Sequence, residues 1–278
     1  MKKRKLNTDA LTDTLTETFR IFDKTKKNIR ENYKLARKNQ CIDFYQKITN
    51  EYQNRTKVKI NIWDAIDKLS NFIDVSDPDI NLPNSMHLFQ SAEAARREGE
   101  PEWMQLVCLI HDLGKVMYLF GNDDTGTSIK KQWAIVGDTF ILGCKIPDTI
   151  VYPEFNELNK DHNENDKLGI YNENCGLNHC IISWGHDEFL FQTLCNNNHC
   201  LPDIALYIIR YHSLYLWHDK NEYSYFENKY DTEAKKFVKR FNKYDLYSKQ
   251  NIELSIDELK EYYNKLIDKY FETSDLLW

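Results

Sequence analysis

His111, Asp112 and Lys115 interrupt an apolar run that extends from Leu106 to Phe120. Leu106, Leu109, Ile110, Leu113, Val116, Met117 and Phe120 recur at steps of three and four, the spacing that buries one side of a helix. A charged group on such a buried side needs compensation, and for an adjacent His and Asp the simplest compensation is a metal cation. On a continuous helix Lys115 lies one turn beyond His111 on the same face, with Asp112 about 100° around from it. Gly114 costs that helix about 1 kcal/mol and lets another segment approach its backbone closely. The plainer alternative is one hydrogen-bonded core histidine with Asp112 and Lys115 reaching solvent.

Further polar residues interrupt other apolar helical stretches: His87 after Asn84-Ser85-Met86, His186 in Ser183-Trp184-Gly185-His186-Asp187, His212 in Ile209-Arg210-Tyr211-His212-Ser213, and Asp245 in Phe241-Asn242-Lys243-Tyr244-Asp245. Four imidazoles and two carboxylates from separate helices would form a dinuclear centre inside a bundle. Nitrogen-rich ligation with a bridging carboxylate suits iron, zinc, manganese or cobalt, and spacing does not choose among them.

The elements that must position these residues are mostly helical. Leu11, Leu15, Phe19 and Phe22 hint at an amphipathic helix, and 28–53 is highly charged with a moderate apolar stripe. Ile60, Trp63, Ile66, Leu69 and Ile73 keep helical spacing up to a loop around Pro78. Asn84-Ser85 opens the helix of His87, Phe89, Ala92 and Ala95, which Gly99-Glu100-Pro101 breaks. Helical patterns return over 182–194, 204–212, 234–249 and the last stretch, where Ser255 and Glu258 form a capping box ahead of Leu259, Tyr262, Tyr263 and Leu266. Gly121–Lys131 reads as an exposed mobile loop and Asn156–Lys167 as a polar insertion. Gln132–Gly143 reads as short β-strands or irregular buried chain.

Composition bounds the rest. The 278 residues are 41 % hydrophobic and 29 % charged with only 9 Gly and 6 Pro, a soluble profile that favours long helices. A formal charge of −6 argues against a nucleic-acid or other polyanion partner. No apolar stretch is long enough to span a bilayer, and the basic start Met1-Lys2-Lys3-Arg4-Lys5 lacks the apolar segment of a secretory signal. Seven scattered cysteines fit reduced thiols in a cytoplasmic protein. Cys175/Cys180 and Cys195/Cys200, with His179 or His199, make zinc conceivable, but at a wider spacing than structural zinc sites use. No repeat or internal boundary is evident. The expected architecture is all-α: one helical-bundle domain over 20–278, with at most short β pieces near 133–142, behind a poorly ordered or loosely packed 1–19.

The order His87 … His111-Asp112 … Asp245 resembles the His…His-Asp…Asp signature of the HD-domain superfamily, whose members are usually metal phosphohydrolases. The surrounding words are narrower. Ser76-Asp77-Pro78-Asp79, Asn84-Ser85-Met86-His87, His111-Asp112-Leu113-Gly114-Lys115-Val116, 132–140, 183–188 and 241–247 together resemble the myo-inositol oxygenase family, from about Arg20 to Trp278. That resemblance implies a monomeric HD-type fold around two iron ions, mixed-valent Fe(II)/Fe(III) when active. It further implies that myo-inositol and O2 give D-glucuronate and water, with the substrate chelating one iron and O2 taking the other. By position it makes His87, His111 and Asp245 ligands of one ion, His186 and His212 ligands of the other, and Asp112 the bridge. Lys115 would donate to an inositol hydroxyl, with its own charge disfavoured by the nearby irons. Arg20, Asp74, Val75, Ser76, Gly137, Asp138, His212, Ser213 and Lys249 match the remaining substrate shell. Asp187 is not a ligand on this resemblance, and falls to a supporting role. Two stretches depart from the family: the 121–131 loop is longer than its usual connection, and 156–167 lacks its usual motif. The competing reading is a metal-dependent phosphohydrolase of the HD superfamily, which needs His87, His111, Asp112 and Asp245 equally but wants cations clustered for phosphate.

Overall fold

The computed structural model describes residues 22, 27–78, 83–247 and 256–278. Its helices, in chain order, are α1 (Lys27–Asn39), α2 (Ile42–Asn54), α3 (Ile62–Lys68), α4 (Asn84–Arg97), α5 (Glu102–Ile110), α6 (Lys160–Glu164), α7 (His186–Cys195), α8 (Asp203–Tyr211), α9 (Tyr215–His218), α10 (Lys229–Tyr247) and α11 (Ile256–Tyr270). The bundle is built around α5. Pro101 precedes its first turn, and every residue from Met104 to Ile110 is buried, as befits a helix that is apolar all round. α4, α8, α10 and α11 pack directly against it, and α7 packs on α8. The single all-α bundle expected from the periodicity is what forms, and it is consistent with the HD-type fold that the resemblance implies.

β structure is minimal, and it forms away from 133–142. Strands β1 (Lys59–Asn61) and β2 (Asp275–Leu277) pair antiparallel, with Ile60 opposite Leu276, and the buried Trp278 donates its indole N–H to Ile60 O at 3.2 Å. The 132–143 stretch is instead irregular buried chain, with a single isolated bridge between Ile141 and Ile182.

Three further expectations are corrected. The Leu106–Phe120 helix is not continuous: α5 stops at Ile110, and the chain resumes as a 3-10 helix over Leu113–Leu119. The 121–131 loop is exposed at 122–124 and 129–131 as expected but not throughout: Thr125 and Thr127 are buried, and the Asn122 side chain accepts from the backbone N–H of Asp124 and Thr125. The polar 156–167 stretch is a wedge rather than a solvated insertion. Asn159 donates to the carbonyls of Arg37 and Gln40, and Asp161 accepts from the N–H of Ile42 and Gly143, so its polar groups satisfy buried backbone. The expected 1–19 segment, most of the Leu11–Phe22 pattern and the Ser255 cap lie outside the described residues. Among the described residues, no helix is long and apolar enough to cross a membrane.

Candidate metal centre

The six expected ligand positions fall at or near helix ends, where backbone groups still lack partners. His111 is the residue that ends α5, and its Nδ1 pairs with Cys108 O at 2.9 Å. His212 ends α8 in the same way, with Nδ1 on Ile209 O at 2.9 Å. Each ring thus satisfies a carbonyl of its own last turn, which fixes the tautomer with Nδ1–H and turns the Nε2 lone pair inward. His186 opens α7, and Ile135 O receives both its backbone N–H at 3.0 Å and its Nδ1 at 2.7 Å. The segment before it is clamped by Gln40, whose side chain bonds both N–H and O of Trp184. Gly114 packs against the same spot: a Cβ there would stand 2.0 Å from His186 O, so the close backbone approach expected of this glycine is real. His87 lies in the first turn of α4 and Asp245 near the end of α10.

The side chains converge on Asp112. Its Oδ2 lies 3.8 Å from His87 Nε2 and 3.6 Å from His111 Nε2, and Asp245 Oδ1 lies 2.9 and 3.5 Å from the same two nitrogens. On the other side Oδ1 lies 3.1 Å from His186 Nε2 and 4.0 Å from His212 Nε2, which are 3.2 Å apart. Three sets of donor atoms come within ligating range: His87/His111/Asp245, His111/Asp112/His212 and His186/Asp187/His212.

Charge explains what such a cluster needs. Asp74, Asp112, Asp187 and Asp245 place four carboxylates beside one ammonium, Lys115, and all but Asp74 are nearly inaccessible to water. An uncompensated buried charge costs several kcal/mol, so the site calls for added positive charge. The His186 imidazole registers this. Burial alone would lower its pKa, but Asp187 and Asp112 outweigh burial and raise it to about 10. His111 is raised similarly, with Asp112 and Asp245 overcoming burial. His212 is lowered by burial, and the neighbouring imidazoles add to this against the pull of Asp187. Neutral histidine nitrogens and carboxylate oxygens in this number fit two metal cations by donor type.

Lys115 departs from one expectation. It does not stack above His111, because the chain kinks at Asp112. It forms ion pairs of 2.9 Å with both Asp112 Oδ2 and Asp74 Oδ2. Burial works to lower its pKa, but Asp112 and Asp74 prevail and raise it. Asp74 is held below the usual carboxylate range: burial would raise it, and Lys115 with the Ser76 N–H and Oγ lowers it further.

A cleft with a cavity volume of about 90 Å³, partly open to solvent, reaches this centre. Of the expected substrate shell, Asp74, Ser76, Lys115, Gly137, Asp138, His212 and Ser213 line it. Val75 does not line the cleft and gives its N–H to Gln132, while Arg20 and Lys249 lie outside the described residues. Gly137 has φ +114°, a conformation that favours glycine, and Tyr33 and Ser76 lie beside it. Tyr33 gives its OH to Asp138 Oδ1 at 2.9 Å. Tyr33 and Asn84 were missed from sequence. Asn84 donates to Asp112 Oδ2 at 2.7 Å. Its position three residues before His87, hence on the same helix face, was the available signal.

The profile of the myo-inositol oxygenase family matches residues 26–278. Inositol oxygenase 1 of Arabidopsis thaliana is 40 % identical over 276 residues, covering 96 % of this chain and 86 % of the plant protein. The inositol oxygenase of Danio rerio is 40 % identical over 255 residues, covering 90 % and 87 %, and that of Dictyostelium discoideum 40 % over 270, covering 94 % and 90 %. On this match, which takes in every helix described above, the chain belongs to the myo-inositol oxygenase family.

Proposed function

We propose that this chain is a cytoplasmic, monomeric inositol oxygenase that converts myo-inositol and O2 to D-glucuronate and water in a four-electron cleavage of a ring C–C bond. Residues 20–278 act as its single catalytic domain, preceded by a loosely packed 1–19. Two iron ions, mixed-valent when active, would supply the redox chemistry, since the chain carries no flavin or nicotinamide fingerprint. His87, His111 and Asp245 would hold one ion, His186 and His212 the other, with Asp112 between them. The observation that carries this reading is Asp112 itself, whose two oxygens face two different pairs of imidazoles.

The chain's own groups suit a polyol. A cyclic hexol offers little apolar surface, so its recognition must rest on directional donors and acceptors. Lys115 presents a protonated donor fixed between two carboxylates, ready to bond a ring hydroxyl. Asp74 and Asp138 offer acceptors, each already aimed by a neighbour: Ser76 for Asp74 and Tyr33 for Asp138. Ser213 offers a hydroxyl next to His212. Arg20 and Lys249 would complete this shell. Among the described residues lining the cleft, Lys115 is the one cation other than histidine, and it is already paired with carboxylates. A phosphohydrolase would want unpaired cations for its phosphate, which places that reading second.

Aerobic incubation of the iron-loaded chain with myo-inositol tests the proposal. D-glucuronate formed in step with inositol consumed is the expected result. Phosphate release from phosphomonoesters without any glucuronate would overturn it.

A further inference from the structure

We infer that Gln132 is a positioning residue for substrate: its side-chain amide ties the cleft wall that carries Asp74 to the wall that carries Gly137 and Asp138. This deepens the inositol-cleaving reading above and rests on it. Gln132 is buried, and its amide makes three bonds to backbone. Nε2 donates to Ile73 O and to Ile129 O, each at 3.1 Å, and Oε1 accepts from Val75 N–H at 3.2 Å. Two of these bonds flank Asp74, one on the carbonyl before it and one on the N–H after it. Those are the two groups that the facing residue of a parallel strand would bond. Residues 72–77 lie in no strand, so the Gln132 side chain supplies the pairing that a ladder would otherwise give them.

With its backbone gripped on both sides, Asp74 needs only its carboxylate aimed. Ser76 does this: Asp74 Oδ1 accepts from its N–H at 2.8 Å and its Oγ at 2.6 Å, and Oδ2 faces Lys115 Nζ at 2.9 Å. Gln132 also begins the other wall. Its backbone O accepts from the N–H of Ile135 at 2.9 Å and of Val136 at 3.0 Å, in a turn that leads straight into Gly137 and Asp138. One residue is thus built into one wall and bonded to the other. The walls meet where a Cβ on Gly137 would stand 3.8 Å from Ser76 Cβ. The third bond, to Ile129 O, fastens the 121–131 loop to the same point.

The chemistry explains why an amide stands here. A carboxylate offers no donor for Ile73 O and an aliphatic chain offers nothing polar, whereas an amide presents donor and acceptor from one plane. A polyol held by directional bonds is sensitive to such spacing, since a shift of about 1 Å costs about a hundredfold in rate.

Steady-state kinetics of the iron-loaded chain test the assignment. Gln132→Met keeps the length and removes the polar atoms. It should hold two ions per chain as wild type does, because the amide bonds backbone outside the metal centre. Its kcat/KM for myo-inositol should fall about tenfold to a hundredfold, chiefly through KM. A cycle with Asp74→Asn separates positioning from plain support. If Gln132 acts through Asp74, adding Gln132→Met to Asp74→Asn should cost no more than about a further twofold. Two losses that simply multiply would overturn the assignment, as would a wild-type KM in Gln132→Met, however much stability that variant had lost. Should Gln132→Met not fold, Gln132→Glu, which keeps the acceptor without the donor, carries the same cycle to the same two outcomes. A wild-type chain that forms no D-glucuronate would overturn the functional reading and this one with it, whereas an active wild type with a multiplicative cycle would overturn this one alone.

Discussion

Two regions of this chain carry residues that bind metals, and only one gathers them. In the bundle interior, donors from five helices and the α5 kink converge around Asp112. Within 175–200, four cysteines with His179 and His199 lie closer together in sequence, yet among the described residues these six form no group of three donors. Cys195 and Cys200 are exposed, and Cys200 Sγ bonds Lys269 O. His199 Nδ1 accepts from Leu201 N–H, and Cys175 and Cys180 lie 3.8 Å apart at sulfur, each also within reach of Gly176 O. The difference lies in the backbone rather than in donor type. His111 and His212 are aimed because each caps its own helix, whereas Cys195 ends α7 exposed to solvent, Cys200 lies exposed in a loop, and Cys175 and Cys180 flank a short 3-10 turn.

The largest effect that would break this contrast falls on Asp112. Asp112→Asn should leave at most one ion per chain and lower inositol turnover by about a thousandfold or more, since one change removes a donor shared by both sides. Metal analysis beside product assay checks it, and two ions at normal turnover would undo the contrast. Gly114→Ala comes next. The new methyl group would press on His186 O, so a loss of about 1–3 kcal/mol in urea unfolding is expected, with the second ion weakened more than the first. Lys115→Met should spare both ions while raising the KM for inositol or lowering kcat by about tenfold to a hundredfold. It leaves Asp74 and Asp112 without their cation.

At the Lys115–Asp74 pair, acid and base should act weakly over the neutral range. Asp74 is held below its ordinary 3.8, so the stability it contributes is present above that value and lost only as pH falls through the lower folded value. Lys115 is raised above 10.5, so its contribution is intact below that value and lost only as pH rises beyond it. Comparing wild type with Lys115→Met, the stability difference should therefore stay flat between about pH 5 and 10, as urea unfolding across that range would show. The smallest effect is reserved for the other region. Cys195→Ser and Cys200→Ser should change stability by no more than about 0.5 kcal/mol and leave metal content untouched. Loss of an ion from either would mean that a second site exists.

The same contrast shows what a sequence can disclose. His87, His111, Asp112, His186, His212 and Asp245 stood out because each interrupts an apolar helical pattern, and the structure brings all six together. The kink at 111–112 was invisible, because Leu113, Val116 and Met117 carry the three-and-four repeat straight through it. A 3-10 turn buries the same residues as an α-helix would, and the packing of Gly114 on His186 O that accompanies it is a contact made across about seventy residues of sequence. Polar stretches were misread for a related reason. Asn159 and Asp161 look like solvated loop residues by composition, yet they bond buried backbone of α1, α2 and 143. Strands of three residues, such as Lys59–Asn61, are too short to show alternation. Asn84 was passed over because asparagine before a helix reads as turn chemistry, although here its amide steadies Asp112.

The central claim is that two ions act together, and iron titration of the metal-free chain under exclusion of air, followed by single-turnover assay for D-glucuronate, tests it most directly. Product should stay negligible at low iron and rise steeply to a plateau at two iron ions per chain. A plateau reached at one ion per chain, with full yield, would contradict it.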